Sequence, residues 1–335
     1  MKVFVTGATG FVGKALIDSL LADQHNVIAA VRKLTKQLPT SVTQVVIGDL
    51  SEFAEADDNE FETKLATFLS VSDVLVHLAG RAHITSDDPI NDQSLFDAVN
   101  ASATFKLAKL ASKYNVKRFL FLSSIGVNGN QTSQTPFTEQ DTPNPQEPYA
   151  VSKWRAEQLI TNHQFSNQME WVIIRPPLVY GPDAPGNFAS LLKWTKSGLP
   201  LPFGAIHNKR SMIALDNLAD FITLCLDAPA AGNQTFVIAD DESVSLSELL
   251  KKVATSQGVS AKLIPVPVGL MKNTAKLLGK SALAIRLFGD LQIDNRKARH
   301  LLGWKPVTTM DQQLKKMAEP NKNNALITNN KTRNS

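Results

Sequence analysis

The sequence is poor in the residues that form disulfides and metal centres. Its single cysteine, Cys225, lies in an apolar helical run and is predicted to pack in the core. The six histidines are scattered, without cysteines or carboxylates at metal-ligand spacing, so we expect no bound metal. No uninterrupted apolar run is long enough to span a bilayer. Met1 leads directly into a strand pattern rather than a signal peptide, so a cytoplasmic location is expected.

An excess of one charge is also missing from most of the chain. The net charge is +4 over 335 residues, and Lys322, Lys331 and Arg333 contribute three of those charges. The segment that carries them is rich in asparagine and lacks periodicity, so residues 319–335 are predicted to be a disordered tail. The nearly neutral remainder does not favour nucleic-acid binding. With 43% hydrophobic residues, the chain can bury one wide α/β domain and a smaller one.

A glycine-rich turn is the first positive signal. A strand pattern at residues 2–6 runs into GxxGxxG and then into an apolar helical repeat. The spacing differs from GxGxxG, but the needs are similar: a tight turn, close approach of backbone to a pyrophosphate, and close packing of helix on strand. The helix N-terminus would then face the phosphates. The predicted cofactor-binding residues in this turn are Gly7, Thr9, Gly10, Phe11, Val12 and Gly13.

Further strand patterns alternate with helical ones such as 95–114. The strand-like runs are 27–31, 42–47, 74–77, 119–122 and 171–174. This alternation predicts an α/β fold, with a Rossmann-type doubly wound parallel sheet that binds ligands at the carboxyl ends of its strands. Polar or small residues follow three of these strands, at 49–50, 77–80 and 123–124.

A tyrosine and a lysine lie one helical turn apart. Positions i and i+4 of a helix share a face, so the Lys153 ammonium can lie under the Tyr149 ring edge and stabilise its phenolate. A tyrosine so placed can exchange a proton near neutral pH. Pro148 suits the first position of this helix. The pair alone could be a surface contact, but together with the glycine turn and Ser124 it predicts proton transfer beside a nicotinamide ring.

Several ordered motifs together resemble the extended short-chain dehydrogenase/reductase superfamily, in its nucleotide-sugar epimerase/dehydratase branch. The resemblance runs from Met1 to about Pro306. The motifs that carry it are the segments 6–13, 77–80, 123–124, 149–153, 175–182 and 302–304, together with Asn100.

The resemblance implies roles for individual residues. Ser124, with Ser123 beside it, would bind the sugar oxygen that undergoes redox, and Tyr149 would exchange its proton. Lys153 would hold the nicotinamide ribose and lower the pKa of Tyr149, while Asn100 would fix the active-site helix and its water. The other cofactor contacts implied are Asp49, Leu50, Leu78, Ala79, Gly80 and Pro176.

Departures from the family pattern narrow the reaction. Nucleotide-sugar 4,6-dehydratases usually have an Asp-Glu pair after the serine, where this chain has Ile125 and Gly126. Neither residue can move a proton, so dehydration is not expected. Asn128 stands where many UDP-galactose epimerases have tyrosine, and Leu178 stands where the family often has a substrate-binding asparagine.

The residues after the second strand bear on the cofactor. NAD-binding folds usually place an acidic residue there for the ribose 2′-hydroxyl, whereas this chain has Arg32 and Lys33. A guanidinium can grip a 2′-phosphate through two hydrogen bonds, so NADP(H) is favoured, with NAD as the alternative. The same two basic residues would also fit a loop in which both side chains are solvated and bind nothing.

The cofactor preference favours one reaction class over another. A reductase of a UDP-4-keto sugar in surface-polysaccharide synthesis consumes NADPH, whereas a UDP-glucose or UDP-N-acetylglucosamine 4-epimerase retains NAD. Arg32 favours the reductase, and the 4-epimerase is the alternative. A sensor that binds cofactor without catalysis is a distant third, because Ser124, Tyr149 and Lys153 are all present.

The substrate end is predicted to follow residue 176. Residues 1–176 would form the NAD(P)-binding domain, to which the segment near 210–240 returns, and residues 177–209 and 241–318 would bind the UDP-sugar. The predicted contacts to the nucleotide and its diphosphate are Asn187, Arg210 and Arg286.

The segment 267–288 alternates leucines with lysines. Helices that cover a substrate pocket are the favoured interpretation of this basic amphipathic pattern, because apolar stripes usually face the core, and a weak membrane contact is the alternative. As in many relatives, helices at 95–114 and 149–163 are expected to pair two subunits into a homodimer.

Overall fold

Short apolar segments form a parallel sheet at the centre of the fold. The computed structural model describes residues 1–55, 58–81, 93–185 and 187–319, so the tail prediction lies outside it from residue 320 onward. The strands are β1 Lys2–Thr6, β2 Asn26–Val31, β3 Thr43–Val46, β4 Val74–His77, β5 Arg118–Leu122, β6 Glu170–Arg175, β7 Leu178–Tyr180, β8 Arg210–Ala214, β9 Gln234–Val237 and β10 Ser243–Val244. Each of the predicted strand runs overlaps one of these.

The strand order is that of a doubly wound fold. Seven strands lie in the order β3-β2-β1-β4-β5-β6-β9, and each neighbouring pair is parallel. The order changes direction between β1 and β4, and a crevice at the carboxyl ends of two such strands is where open α/β sheets bind ligands. The predicted fold class is confirmed.

Helices cover both faces of this sheet and also pack around the smaller sheet described below. They are α1 Phe11–Ala22, α2 Leu50–Glu55, α3 Asp58–Leu69, α4 Gln93–Asp97, α5 Ala103–Lys113, α6 Pro148–Thr161, α7 Asn187–Lys196, α8 Leu215–Leu224, α9 Leu246–Ser256, α10 Val268–Leu277, α11 Ser281–Phe288, α12 Arg296–Leu302 and α13 Met310–Ala318. None of the helices in the described ranges has the length and apolarity needed to cross a bilayer.

Alternation along each strand divides the core between the two faces. In β1, Val3 and Val5 join the cluster formed with α1 and α8, whereas Phe4 joins the cluster formed with α5 and α6. This period of two is the pleat of a strand that is buried on both sides. Both faces of the sheet are therefore covered. The crevice at the carboxyl ends of its strands is the part that stays open to a ligand.

A second, smaller sheet lies toward the C-terminal half. Its order is β10-β8-β7, with β7 parallel and β10 antiparallel to β8. A third apolar cluster, which includes Tyr180, Phe188, Leu250 and Leu314, joins it to α7, α9 and α13. Of the segment expected to return to the large sheet, β9 does so, while β8 lies in the small sheet.

The long helix predicted at 95–114 contains an irregular turn. Residues Ala98–Ser102 form a π-helix between α4 and α5. Such single π-turns often occur at functional sites because they redirect a side chain. Here the turn contains Asn100, one of the predicted site residues.

Candidate active site

The glycine turn after β1 is packed too closely to admit side chains. Gly7 has φ +72°, and a Cβ there would lie 2.7 Å from the Ala79 nitrogen. A Cβ at Gly13 would lie 2.1 Å from the Gly7 carbonyl oxygen. The turn therefore needs glycine at both positions, for backbone conformation at one and for helix packing at the other.

The N-terminus of α1 is open to an anion. Gly10 caps it without a side-chain hydrogen bond, and the first turn contains no acidic residue. The first helical hydrogen bond is donated by Lys14 to the Gly10 carbonyl, so the N–H groups of Phe11, Val12 and Gly13 precede the ladder. Free N–H groups at the positive end of a helix dipole suit a pyrophosphate, so this turn fits a dinucleotide.

The residues predicted to meet the adenosine end also lie together. A guanidinium nitrogen of Arg32 lies 3.8 Å from a carboxylate oxygen of Asp49, beyond the ends of β2 and β3. The Ser51 backbone N–H donates to the same carboxylate at 2.9 Å and holds the pKa of Asp49 below its usual value. Arg32 is 80% exposed, so its donors remain accessible to a ligand.

Lys153 is buried beneath the start of α6. Its ammonium donates to the Leu122 carbonyl at 2.8 Å and lies 5.9 Å from the centre of the Tyr149 ring. It lies 4.5 Å from the centre of the Phe121 ring. Burial lowers the pKa of Lys153 to about 7, and Glu157 opposes that shift.

The Tyr149 phenol differs from the expectation. Burial raises the pKa of Tyr149 to about 12, so the lowering expected from Lys153 is not found. The physical reason is that desolvation disfavours the phenolate, while Lys153 loses its own charge near neutral pH. A phenolate at Tyr149 therefore depends on a nearby positive charge, which the Lys153 ammonium supplies while it is protonated.

Ser124 opens a short 3-10 turn at Ile125–Val127. Its hydroxyl oxygen accepts the Gly126 N–H at 3.1 Å, which leaves its own proton available for a ligand. A Cβ at Gly126 would lie 3.1 Å from the Cβ of Ala150, so this turn packs against α6 one residue after Tyr149. The serine and the tyrosine are therefore held on adjoining pieces of backbone.

Asn100 links the strand end of β4 to α6. Its amide nitrogen donates to the Arg81 carbonyl at 3.0 Å and to the Ser152 hydroxyl at 2.9 Å, and its oxygen accepts the Arg81 N–H at 2.8 Å. A Cβ at Gly80 would lie 3.0 Å from that oxygen and 3.2 Å from the Lys153 ammonium. Gly80, Asn100 and Lys153 thus meet at the same corner of the crevice.

A buried ion pair behind the site was not recognised in the sequence. The guanidinium of Arg175 donates to both carboxylate oxygens of Glu157, at 3.0 and 2.5 Å, and to the Asn128 side-chain oxygen at 2.9 Å. The Ser123 hydroxyl also donates to Glu157. Ser123 is buried and supports the site from behind, and its contact to the substrate stays a prediction. The spacing of Glu157, four residues after Lys153, was the available signal.

His77 is also buried behind the crevice. Because the Thr104 hydroxyl donates to the Asn100 carbonyl, its oxygen accepts from His77 Nε2 at 2.9 Å. His77 Nδ1 then accepts from the Thr6 hydroxyl at 2.7 Å. Burial lowers the pKa of His77 to about 3, and the charge of Lys153 adds to that effect.

Of the three predicted substrate contacts, Arg286 lies at the start of α6, and Arg210 lies near Arg286. Arg286 pairs with Glu147, the residue that caps α6, at 2.6 Å. Arg210 donates to the Gly289 carbonyl at 3.0 Å, and burial lowers its pKa, with a smaller contribution from Arg286. Asn187 is the first residue of α7, and its role stays a prediction. Pro176 lies beside Ser124, since its carbonyl accepts the Ile125 N–H at 2.9 Å.

Within the four described ranges, histidine, cysteine, aspartate and glutamate do not form a group of three or more that could hold a metal ion.

A family model and a curated relative each match most of this chain. The family described as NAD dependent epimerase/dehydratase matches residues 3–239. A UDP-glucose 4-epimerase of Vibrio cholerae is 39% identical over 321 residues, which cover 95% of this chain and 94% of the relative.

Solved structures share the fold. The UDP-N-acetylglucosamine 4-epimerase of Bacillus cereus superposes with a TM-score of 0.74 at 19% identity, covering 95% of this chain and 98% of that one. The UDP-glucuronic acid 4-epimerase of Bacillus cereus in complex with NAD superposes with a TM-score of 0.73 at 20% identity, covering 95% of each chain. The chain therefore belongs to the NAD-dependent epimerase/dehydratase family and is an NAD(P)-dependent enzyme of the extended short-chain dehydrogenase/reductase type.

Proposed function

We propose that this enzyme is a UDP-hexose or UDP-N-acetylhexosamine 4-epimerase. The observation that carries the proposal is the placement of Ser124, Tyr149 and Lys153 on adjoining backbone, beside the crevice that the glycine turn opens. Such a trio serves proton exchange at an oxygen whose carbon gains or loses hydride. The 39% identity to a UDP-glucose 4-epimerase over nearly the full length of both chains supports C4 as that carbon.

Ser124, Tyr149 and Lys153 have separate roles at the sugar oxygen. The Ser124 hydroxyl donates a hydrogen bond to O4 and fixes the position of O4. In a 4-epimerase hydride leaves C4 first, so Tyr149 takes the O4 proton as a phenolate and returns that proton when hydride adds back to C4. The Lys153 ammonium stabilises the phenolate with which this cycle begins and ends. NAD(P) held at the glycine turn would supply the acceptor and donor of this hydride. Ile125 and Gly126 cannot act as acid or base, so elimination of water does not compete.

A reductase that consumes NADPH is the second candidate. The observation that favours it is the exposed guanidinium of Arg32 at the adenosine end, which suits a 2′-phosphate. Asp49 lies beside it and would repel the same phosphate, which supports NAD and the epimerase. The cofactor bound after purification is therefore the first quantity to measure.

The deciding experiment combines cofactor release with two assays. We expect heat-denatured protein to release NAD, and the folded protein to interconvert UDP-glucose and UDP-galactose, or their N-acetyl forms, without added cofactor. If the protein instead oxidises NADPH in the presence of a UDP-4-keto sugar, and Arg32→Ala raises the KM for NADPH, the reductase is correct. Absence of both reactions, with full cellular function of Tyr149→Phe, would favour a cofactor sensor.

We infer that the working unit is a homodimer formed through α5 and α6. These helices pack together and leave Leu159 of α6 39% exposed on the outer surface. A symmetric contact through this face would cover that leucine. Sedimentation velocity of the chain and of Leu159→Arg tests the inference, which requires the variant to be a monomer that keeps the far-ultraviolet circular dichroism of the folded chain.

A further inference from the structure

The two helices α10 and α11, which we call the 268–288 hairpin, expose an unusual number of large apolar side chains. Leu277, Leu278 and Leu270 are 88%, 66% and 60% exposed. Leu283 and Ile285 of α11 are exposed as well. Single exposed leucines are common on soluble proteins, but five large exposed apolar side chains between residues 270 and 285 of one hairpin mark a surface that is normally covered.

These side chains are not needed for the core of the protein. The inner side of the hairpin is formed by Val268, Met271, Leu287 and Phe288, which pack against the cluster around the small sheet. Leu270 and Leu277 are seven residues apart, so they lie on one face of α10, away from that packing. The hairpin is thus anchored on one side and apolar on another.

The charge of the hairpin identifies what could cover it. Lys272, Lys276 and Lys280 are exposed, and the sequence contains no acidic residue from 267 to 289. Among the described contacts these three lysines form no ion pair, whereas Arg286 is paired with Glu147. An apolar face flanked by unpaired lysines is complementary to an anionic lipid surface, because long lysine side chains can reach phosphates while leucines enter the acyl boundary.

We propose that the 268–288 hairpin docks the enzyme on the surface of an anionic lipid bilayer. A second copy of the chain fits this surface less well, because a symmetric contact would bring two sets of lysines of the same sign together. The contact is peripheral, with the leucines at the depth of the headgroups and the lysines beside them.

Docking there would bring the bilayer close to the catalytic helix. Arg286 of α11 contacts Glu147, which caps α6 two residues before Tyr149. The hairpin therefore lies beside the substrate end of the crevice. The inference does not depend on which reaction occurs at C4, because it rests on surface side chains outside the catalytic group.

The test is sedimentation of the full-length enzyme with sucrose-loaded vesicles. We expect binding to phosphatidylcholine vesicles that contain about 30 mol% phosphatidylglycerol, and much weaker binding to pure phosphatidylcholine. Replacement of Lys272, Lys276 and Lys280 by glutamine should lower the partition coefficient by about 100-fold, since each lysine near the surface contributes about fivefold. Replacement of Leu270, Leu277 and Leu278 by serine should lower it by at least about tenfold.

Matched variants separate docking from general charge and hydrophobicity. Replacement of exposed Lys251, Lys305 and Lys315 by glutamine, or of exposed Leu34 and Leu199 by serine, should leave vesicle binding unchanged. Thermal unfolding of each variant verifies folding. Equal binding of the hairpin variants and the unchanged chain would overturn the proposal. So would a change from dimer to monomer in the leucine variant without any loss of vesicle binding, since the hairpin would then be a subunit contact.

Discussion

Glu157 holds three elements together at one buried carboxylate. It lies on α6, accepts from Arg175 at the end of β6, and accepts from Ser123 just beyond β5. Both members of the ion pair are almost fully buried, with side chains 5% and 2% exposed. A charge buried this deeply is tolerated only when an opposite charge lies beside it. The position of α6, and with it of Tyr149, depends on this pair.

Removing one charge of this pair should therefore lower the free energy of unfolding more than removing both charges. We expect Glu157→Gln to lower the free energy of unfolding by about 3–5 kcal/mol, because Arg175 is left buried and unpaired. The double variant Glu157→Met/Arg175→Met should be more stable than Glu157→Gln, although Ser123 and Asn128 each lose a partner. Urea unfolding of the three proteins measures this. A double variant less stable than Glu157→Gln would contradict the argument.

Tyr149 is expected to matter for catalysis and not for stability. We predict that Tyr149→Phe lowers kcat by about 100- to 10,000-fold, because the proton donor to the sugar oxygen is removed. The melting temperature and the affinity for cofactor should change little, since the ring is kept. Steady-state kinetics, calorimetry and cofactor titration check these expectations together. Loss of cofactor affinity without loss of kcat would assign the phenol to binding.

At the scale of elements, α1 is the clearest case of a structure that its own residues determine. The glycine spacing indicated the turn, because left-handed backbone and close packing are requirements that only glycine meets. The strands were predictable for a similar reason, since continuous apolar runs are typical of parallel strands buried on both faces. Both signals are local in the sequence.

Other features depend on contacts that the sequence pattern does not contain. Glu157 meets Ser123 and Arg175 across 34 and 18 residues, and a helical repeat does not reveal such partners. The π-turn around Asn100 follows from hydrogen bonds to Arg81 and Ser152 on two other segments. The rise in the Tyr149 pKa follows from burial, which depends on the whole fold.

Because α1 packs closely against the glycine turn, replacing Gly13 by a larger residue should destabilise the fold. We expect Gly13→Ala to lower the free energy of unfolding by about 1–3 kcal/mol or more, because its Cβ would lie 2.1 Å from the Gly7 oxygen. The substitution should also weaken cofactor binding. Backbone has to move away at the point where the pyrophosphate binds. Thermal unfolding and fluorescence titration with NAD(H) measure the two effects.

Gly269→Ala is the matched control for this substitution. It lies in the first turn of α10, and a Cβ there meets no atom within 4 Å. Alanine should therefore be neutral or slightly stabilising, since it favours the helix. Gly13→Ala with unchanged stability and cofactor affinity would mean that α1 tolerates displacement.

At the scale of the whole molecule, the stability of the fold in acid depends on a histidine under the crevice. The folded pKa of His77 is about 3, against an ordinary value of 6.5. Between these values the unfolded chain binds a proton that the folded chain does not. Stability therefore rises with pH in this window and is lost as the pH falls below 6.5. Aspartates whose pKa is lowered, such as Asp49 and Asp73, add to this loss only at lower pH.

Replacing the imidazole while keeping its hydrogen bonds isolates this contribution. Glutamine at position 77 can accept from Thr6 and donate to Thr104 without titrating. We expect the native chain to lose about 1.4 kcal/mol per pH unit between pH 6 and pH 5 from this group, and His77→Gln to lose correspondingly less. Urea unfolding at half-unit intervals of pH gives both slopes, with exposed His163→Gln as the control.

Groups that titrate in the opposite sense do not disturb the comparison. Burial raises the pKa of Asp240 and of Glu139, so their protonation favours the folded state as the pH falls. That contribution is common to the native chain and His77→Gln, and it cancels in the difference between their slopes. Identical slopes would therefore mean that His77 becomes protonated within the fold. A proton there would place a second positive charge beside Lys153, so such a result would also require Lys153 to have lost its charge in this pH range.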